Sequence, residues 1–166
     1  MTRTLAPDRA IAALEQNLWS MWRQFGRGEG CRLVDEPGLL RFETPLALVP
    51  YNTVLRFRAD DAGGDEERID AVLAAYRERD VPVMWIVHPT APADLGARLA
   101  ARGLVEAEVV TGMTSQLDGL PATGTAPGGA LIEELRPGAE DGYLDLVTWR
   151  YGIPAGCVRV LRSCRR

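Results

Sequence analysis

The chain has no lysine, a single histidine, and three cysteines without a CxxC pair in its 166 residues. The missing lysine removes any mechanism built on a side-chain amine nucleophile or Schiff base. The cysteines, Cys31, Cys157 and Cys164, are odd in number and have no histidine at ligand spacing, which argues against a zinc site or a disulfide framework. Long apolar runs are absent too: the longest, Val81 to Val87, is interrupted by Pro82 and is far too short for a membrane span. The N-terminus, Met1 to Asp8, lacks the apolar centre of a signal peptide. The net charge is −4, and the 19 basic residues, all arginine, are dispersed, so a nucleic acid or an anionic membrane finds no concentrated basic face. These absences predict a cytoplasmic protein with no metal, nucleic-acid or membrane partner.

What is present is periodic. Ile11, Leu14, Leu18, Met21, Trp22 and Phe25 recur at helical steps after the entry signal Pro7-Asp8, until Gly26 and Gly28 end the pattern. Cys31 to Asp35 and Leu39 to Glu43 flank Glu36-Pro37-Gly38 and predict a hairpin. A third strand, antiparallel to the second, is predicted at 52–59, with Val54, Arg56 and Arg58 on one face and Leu55, Phe57 and Ala59 on the other. An amphipathic helix follows over 66–79, carrying Ile69, Val72, Leu73 and Tyr76 on its apolar side. Val83 to Val87 is apolar at every position, as in a strand buried on both faces beside a parallel neighbour. A short helix with Leu95 and Leu99, closed by Gly103 in a left-handed cap, precedes a long strand predicted from Leu104 to about Leu117.

Residues 119–129 are rich in Gly, Pro, Ala and Thr and separate a domain over 1–118 from a second unit over 130–166. That unit has a strand-like start, Ala130 to Arg136, and a helix-like run, Pro137 to Tyr151. It is too short to bury both surfaces, so it predicts either packing on the first domain or a homodimer formed through residues 130–166.

The loop Asp60-Asp-Ala-Gly-Gly-Asp65 joins a strand to a helix, the setting in which a helix N-terminus can hold a phosphate. Five carboxylates, Asp60, Asp61, Asp65, Glu66 and Glu67, crowd the same place and oppose an anion there. Gly26 to Gly30 is also glycine-rich, but it follows a helix and precedes a strand, the wrong context for a phosphate loop, and reads as a flexible connection.

Taken in order, this α/β (α+β) pattern has antiparallel N-terminal strands, a central parallel βαβ pair and flanking helices. It resembles the GNAT superfamily of N-acetyltransferases. The similarity is carried by Ile69 to His88 and by Ala93 to Leu104, which look like the family's third helix, fifth strand and fourth helix, with the LxxRGL run closing the latter. The chain also resembles the degenerate N-terminal half of bacterial tandem-GNAT proteins. The resemblance implies acetyl-CoA as cofactor and a small-molecule amine as acceptor. In that family a base deprotonates the amine, the amine attacks the thioester, and an acid protonates the leaving thiolate. The diphosphate would meet the loop at Gly63 and Gly64, where the family's x-Gly-x-Gly spacing is absent. The pantetheine would run between 52–59 and 82–88, lined by Leu55 and Phe57.

Within that frame His88, at the end of the central strand, is either the catalytic base or a strand cap bonded locally before Pro89. Glu43 is either a second base or an ordinary strand-end carboxylate. Tyr51 and Asn52 either bind substrate or shape the turn after Pro50. Trp19, Trp22 and Trp85 read as core aromatics. The expectation is an acetyltransferase-like protein with a degenerate diphosphate loop. The alternative is a non-catalytic small-ligand or protein-binding module on the same fold.

Overall fold

The computed structural model describes residues 6–60, 63–114, 136 and 140–151. Two compact units divide the chain, one running to Met113 and one beginning at Thr114.

Helix α1 (Pro7–Trp22) opens with Pro at its first turn and Asp8 placed favourably against the helix dipole. It passes into a 3₁₀ turn, Arg23–Arg27. There Gly26 is required by a close approach: a Cβ at this position would stand 2.9 Å from the Cβ atoms of both Leu33 and Phe42. The predicted flexible connection is therefore a packed contact at its first residue.

Strands β1 (Arg32–Glu36) and β2 (Leu39–Glu43) form the predicted hairpin, with Glu36 opposite Leu39 and Gly38 at a φ of 78°. Pro37 fixes its own φ, and Gly38 supplies the left-handed conformation that a side chain would oppose. Strand β3 (Thr53–Phe57) pairs antiparallel with β2, then α2 (Asp65–Glu78) leads to β4 (Met84–Trp85), which pairs parallel with β3. The result is a four-stranded mixed sheet in the order β1-β2-β3-β4, so the mixed α+β class is as predicted.

Two apolar clusters lie on opposite faces of this sheet. Trp19 packs with Leu40, Phe42 and Leu55, and half-buried Trp22, Phe25, Leu33 and Ile86 border them. Val34, Leu39, Val54 and Phe57 pack with Ile69, Val72, Leu73 and Tyr76 of α2 and with Leu95 and Leu99 of α3 (Leu95–Ala100). Each fully buried large side chain contributes about 1.5–3 kcal/mol relative to exposure.

The even alternation predicted for the third strand does not occur. Leu40 pairs with Arg56 and Arg41 with Val54, leaving Leu55 as an extra residue in β3. Beyond that bulge the side-chain parity reverses. Leu55 therefore joins the α1-side cluster while Val54 and Phe57 both join the α2 side.

Two further expectations are corrected. β4 is only two residues long and half-buried, with Val87 at 48% exposure, because among the described residues it has one neighbouring strand and not two. Residues 104–114 form no strand, and Val105, Val109, Val110 and Met113 stand 76–86% exposed. β-prone residues become a strand only when an edge accepts their hydrogen bonds, and no such edge meets this segment among the described residues. The Gly103 cap after α3 is as predicted, with φ 86°.

In the second unit the predicted helix is present as α4 (Glu140–Tyr151), with Tyr143, Leu146 and Trp149 exposed. The linker at 119–129 and the strand predicted at 130–135 lie outside the described residues. No helix among the described residues is long and apolar enough to cross a membrane.

Candidate functional site

His88 lies just past the C-terminal end of β4, and the neighbouring elements close on its ring. Trp19 Nε1 sits 2.9 Å from the Leu55 carbonyl oxygen and 3.2 Å from His88 Nε2. An indole nitrogen can only donate, so its N–H is shared between these two acceptors and His88 Nε2 carries a lone pair there. In the neutral imidazole the proton is then on Nδ1. That atom is 3.9 Å from Glu15 Oε1, an electrostatic contact beyond hydrogen-bond length.

Glu15 is 4% exposed, on the face that α1 turns toward the sheet. The Thr90 hydroxyl lies 2.8 Å from each of its carboxylate oxygens and donates to them. The Arg56 guanidinium stands over the Trp19 indole, 5.3 Å from its centroid, and 3.0 Å from Asp35 Oδ1. Burial pushes the His88 pKa down from its ordinary value, opposed by the Glu15 charge and by the nearby Leu55 carbonyl.

Glu15 is a buried carboxylate beside His88 that the sequence expectations do not include. A signal was available, because position 15 falls between Leu14 and Leu18 in the apolar stripe, where a carboxylate is out of character. Thr90 and Arg56 gave no comparable sign. Trp19 is a core aromatic as predicted, and its polar tip adds a second role.

Glu43 occupies different surroundings. Its side chain is 2% exposed and is ion-paired with Arg41 on one oxygen and with Arg79, at 3.3 Å, on the other. Arg41 in turn lies over the Tyr76 ring at 5.5 Å, and the Tyr76 hydroxyl donates to the Phe42 carbonyl at 2.9 Å. Burial raises the Tyr76 pKa to about 12, so the hydroxyl remains a donor at physiological pH. Glu43 and His88 thus have separate sets of partners.

Asn52 is fully buried and occupied by main chain: its Oδ1 accepts from Thr44 N at 2.8 Å and its Nδ2 donates to the Leu46 carbonyl at 2.6 Å. Tyr51 is half-buried with its ring edge-on to Phe25 at 5.4 Å. Leu55 and Phe57, named together as a lining, lie on opposite faces of the sheet.

Gly63 and Gly64 lead into α2 at φ 83° and 87°, and no atom lies within 4 Å of where a Gly63 Cβ would stand. The acidic residues beside these glycines are not a loose cluster. Arg98 is 3.6 Å from Asp65 and 2.6 Å from Glu66, while Arg102 is 2.6 Å from both Glu66 and Asp70. Asp61 lies outside the described residues. Among the described residues no group of three or more His, Cys, Asp or Glu side chains could hold a metal ion.

At the α2 N-terminus Glu67, which has no ion-pair partner among the described residues, places a carboxylate oxygen 4.0 Å from where a Gly64 Cβ would stand. No family model, no curated protein and no solved structure matches the chain.

Proposed function

We propose that this chain is a GNAT-like N-acetyltransferase-type protein that moves an acetyl group from acetyl-CoA to a small-molecule amine, with His88 as the base. The observation that carries this reading is the pairing of buried Glu15 with half-buried His88, just past β4, the parallel partner of β3. Acetyl-CoA supplies a thioester-activated acetyl group. His88 Nε2 is the lone-pair nitrogen and would take a proton from the acceptor amine as its nitrogen attacks the thioester carbonyl; as the C–S bond breaks, the imidazolium would return that proton to the departing thiolate. Trp19 can release Nε2 without losing its hydrogen bond, because the Leu55 carbonyl is the nearer of its two acceptors. Glu15 then faces the imidazolium that forms. Gly63 and Gly64 offer main chain to the diphosphate, and the neighbouring carboxylates make that binding weak.

A second reading, a non-catalytic small-ligand or protein-binding module on the same fold, is favoured by the state of the other polar candidates. Glu43 is held by two arginines and Asn52 by two main-chain groups, so neither is available to a ligand. Pairing of two copies through residues 130–166 belongs to either reading. Truncation after Gly129 should lower the number of chains in the assembly, and an unchanged number of chains removes this part of the proposal.

The deciding experiment is release of free CoA thiol from acetyl-CoA in the presence of a panel of amines. Amine-dependent release that falls about 10²–10⁴-fold in His88→Gln supports the enzyme reading. No release from any amine, with folded protein throughout, leaves the binding-module reading in its place.

A further inference from the structure

We infer that Glu15 is a positioning residue for His88: its buried carboxylate, oriented by the Thr90 hydroxyl, holds the imidazole proton on Nδ1 and keeps Nε2 as the proton acceptor. The inference deepens the proposed function and rests on its assignment of His88 as the base. Three features of the geometry carry it. Glu15 is 4% exposed on a helix face otherwise given to apolar packing, an expensive place for a carboxylate. The cost is offset by specific partners, for both its oxygens lie 2.8 Å from the Thr90 hydroxyl and one lies 3.9 Å from His88 Nδ1. The opposite nitrogen of the ring faces the Trp19 N–H at 3.2 Å, which favours the proton of the neutral form on Nδ1 against the pull of the Leu55 carbonyl on the ring.

The charged and polar groups around the imidazole come from three segments. α1 supplies Glu15 and Trp19, β3 supplies the Leu55 carbonyl, and the turn after β4 supplies Thr90. Arg56 lies over the Trp19 ring, 5.3 Å from its centroid, and is itself ion-paired to Asp35. Glu15 is therefore the one carboxylate in direct electrostatic contact with His88 among the described residues. It favours the protonated ring, whereas burial disfavours it. A base so placed can accept a proton during a reaction and return it, because the imidazolium meets a fixed negative charge that needs no reorganisation.

The chain has one histidine, so its ring nitrogens can be read without assignment by ¹⁵N–¹H correlation spectra of the full-length protein over a pH series. The expected wild-type result is the Nδ1–H tautomer. Glu15→Gln should move the His88 titration to lower pH, since the neighbouring negative charge is gone and burial remains. Thr90→Val, which keeps the charge and the shape, should move it to higher pH, because carboxylate lone pairs released from the hydroxyl become available to Nδ1. An Nε2–H tautomer in the wild type, or titrations that coincide in all three proteins, overturns the inference. If Glu15→Gln does not fold, the Thr90→Val shift decides alone. These spectra need no turnover. A protein that releases no thiol but shows both shifts loses the proposed activity and keeps the Glu15–His88 coupling.

Discussion

Trp19 of α1 donates its indole N–H to the main-chain oxygen of Leu55, the extra residue of β3, at 2.9 Å. A bulge leaves its extra residue outside the regular ladder. Here the freed carbonyl is met by a side chain from the helix packed on that face, so one indole fixes the helix, the irregular strand and the His88 ring together.

Trp19→Phe keeps most of the apolar surface and removes the donor. The Leu55 carbonyl is then buried without its partner, and the stability measured by urea denaturation should fall by about 1–3 kcal/mol. The same change frees His88 Nε2. An unchanged denaturation midpoint would mean that another donor meets the carbonyl.

The Arg41–Glu43–Arg79 group makes a different prediction. Arg41 and Glu43 have side chains 9% and 2% exposed, so Glu43→Ala strands a buried guanidinium and should cost about 3–5 kcal/mol. Replacing both, Arg41→Leu with Glu43→Leu, should recover most of that loss, since buried ion pairs exchange with well-packed apolar residues at little net cost. Denaturation curves of the single and double variants test this directly. Failure of the double variant to recover would show that Arg79 and the Tyr76 ring depend on the carboxylate more than its partner does.

Stability should also depend on pH through His88. Burial lowers its pKa in the folded state below the ordinary 6.5, so between the two values the unfolded chain binds more protons. The stabilising contribution of a neutral His88 is fully present above about pH 6.5 and declines as the pH falls toward the folded-state value. Asp70, whose carboxyl is held below 3.8 by hydrogen bonding to Arg102, acts with the carboxylates at lower pH, which separates the two effects. Denaturant midpoints should fall from pH 7.5 to pH 5.5, and His88→Gln should flatten that slope. Parallel slopes in the two proteins would assign the pH dependence elsewhere.

Much of the architecture is written locally. Pro37-Gly38 sets the hairpin, the Ile69–Val72–Leu73–Tyr76 spacing sets α2, and Gly103 ends α3 with its positive φ. The parallel β3–β4 pair follows from an apolar run after a crossover helix. Leu55 defeats the same kind of reasoning, because a bulge is chosen by what packs on the strand and leaves no mark in an alternating sequence. The segment 104–114 fails for a related reason: its valines have the propensity for a strand, but pairing belongs to the partner edge. At the candidate site His88 stands out as the only histidine, whereas its relation to Glu15 and Thr90 depends on α1 lying against the end of β4, which no local pattern records.

The last prediction separates two carboxylates that the sequence presents as equals. Glu66 is bound by Arg98 and Arg102, each at 2.6 Å, whereas Glu67 stands one residue further along α2 with no ion-pair partner among the described residues. Removing Glu67 therefore lowers the negative potential at the α2 N-terminus without disturbing any ion pair. Removing Glu66 releases two arginines while costing about 0–1 kcal/mol of stability per exposed pair. Both changes should strengthen acetyl-CoA binding measured by calorimetry, because the helix N-terminus and its open glycines then meet the diphosphate with less repulsion. Glu67→Ser should do so with an unchanged melting temperature, and Glu66→Ser with a lowered one. The gain should shrink from 20 mM to 500 mM salt as the Debye length shortens from roughly 20 Å to roughly 4 Å. Equal affinity in wild type and Glu67→Ser at low salt would show that the α2 N-terminus does not receive the diphosphate.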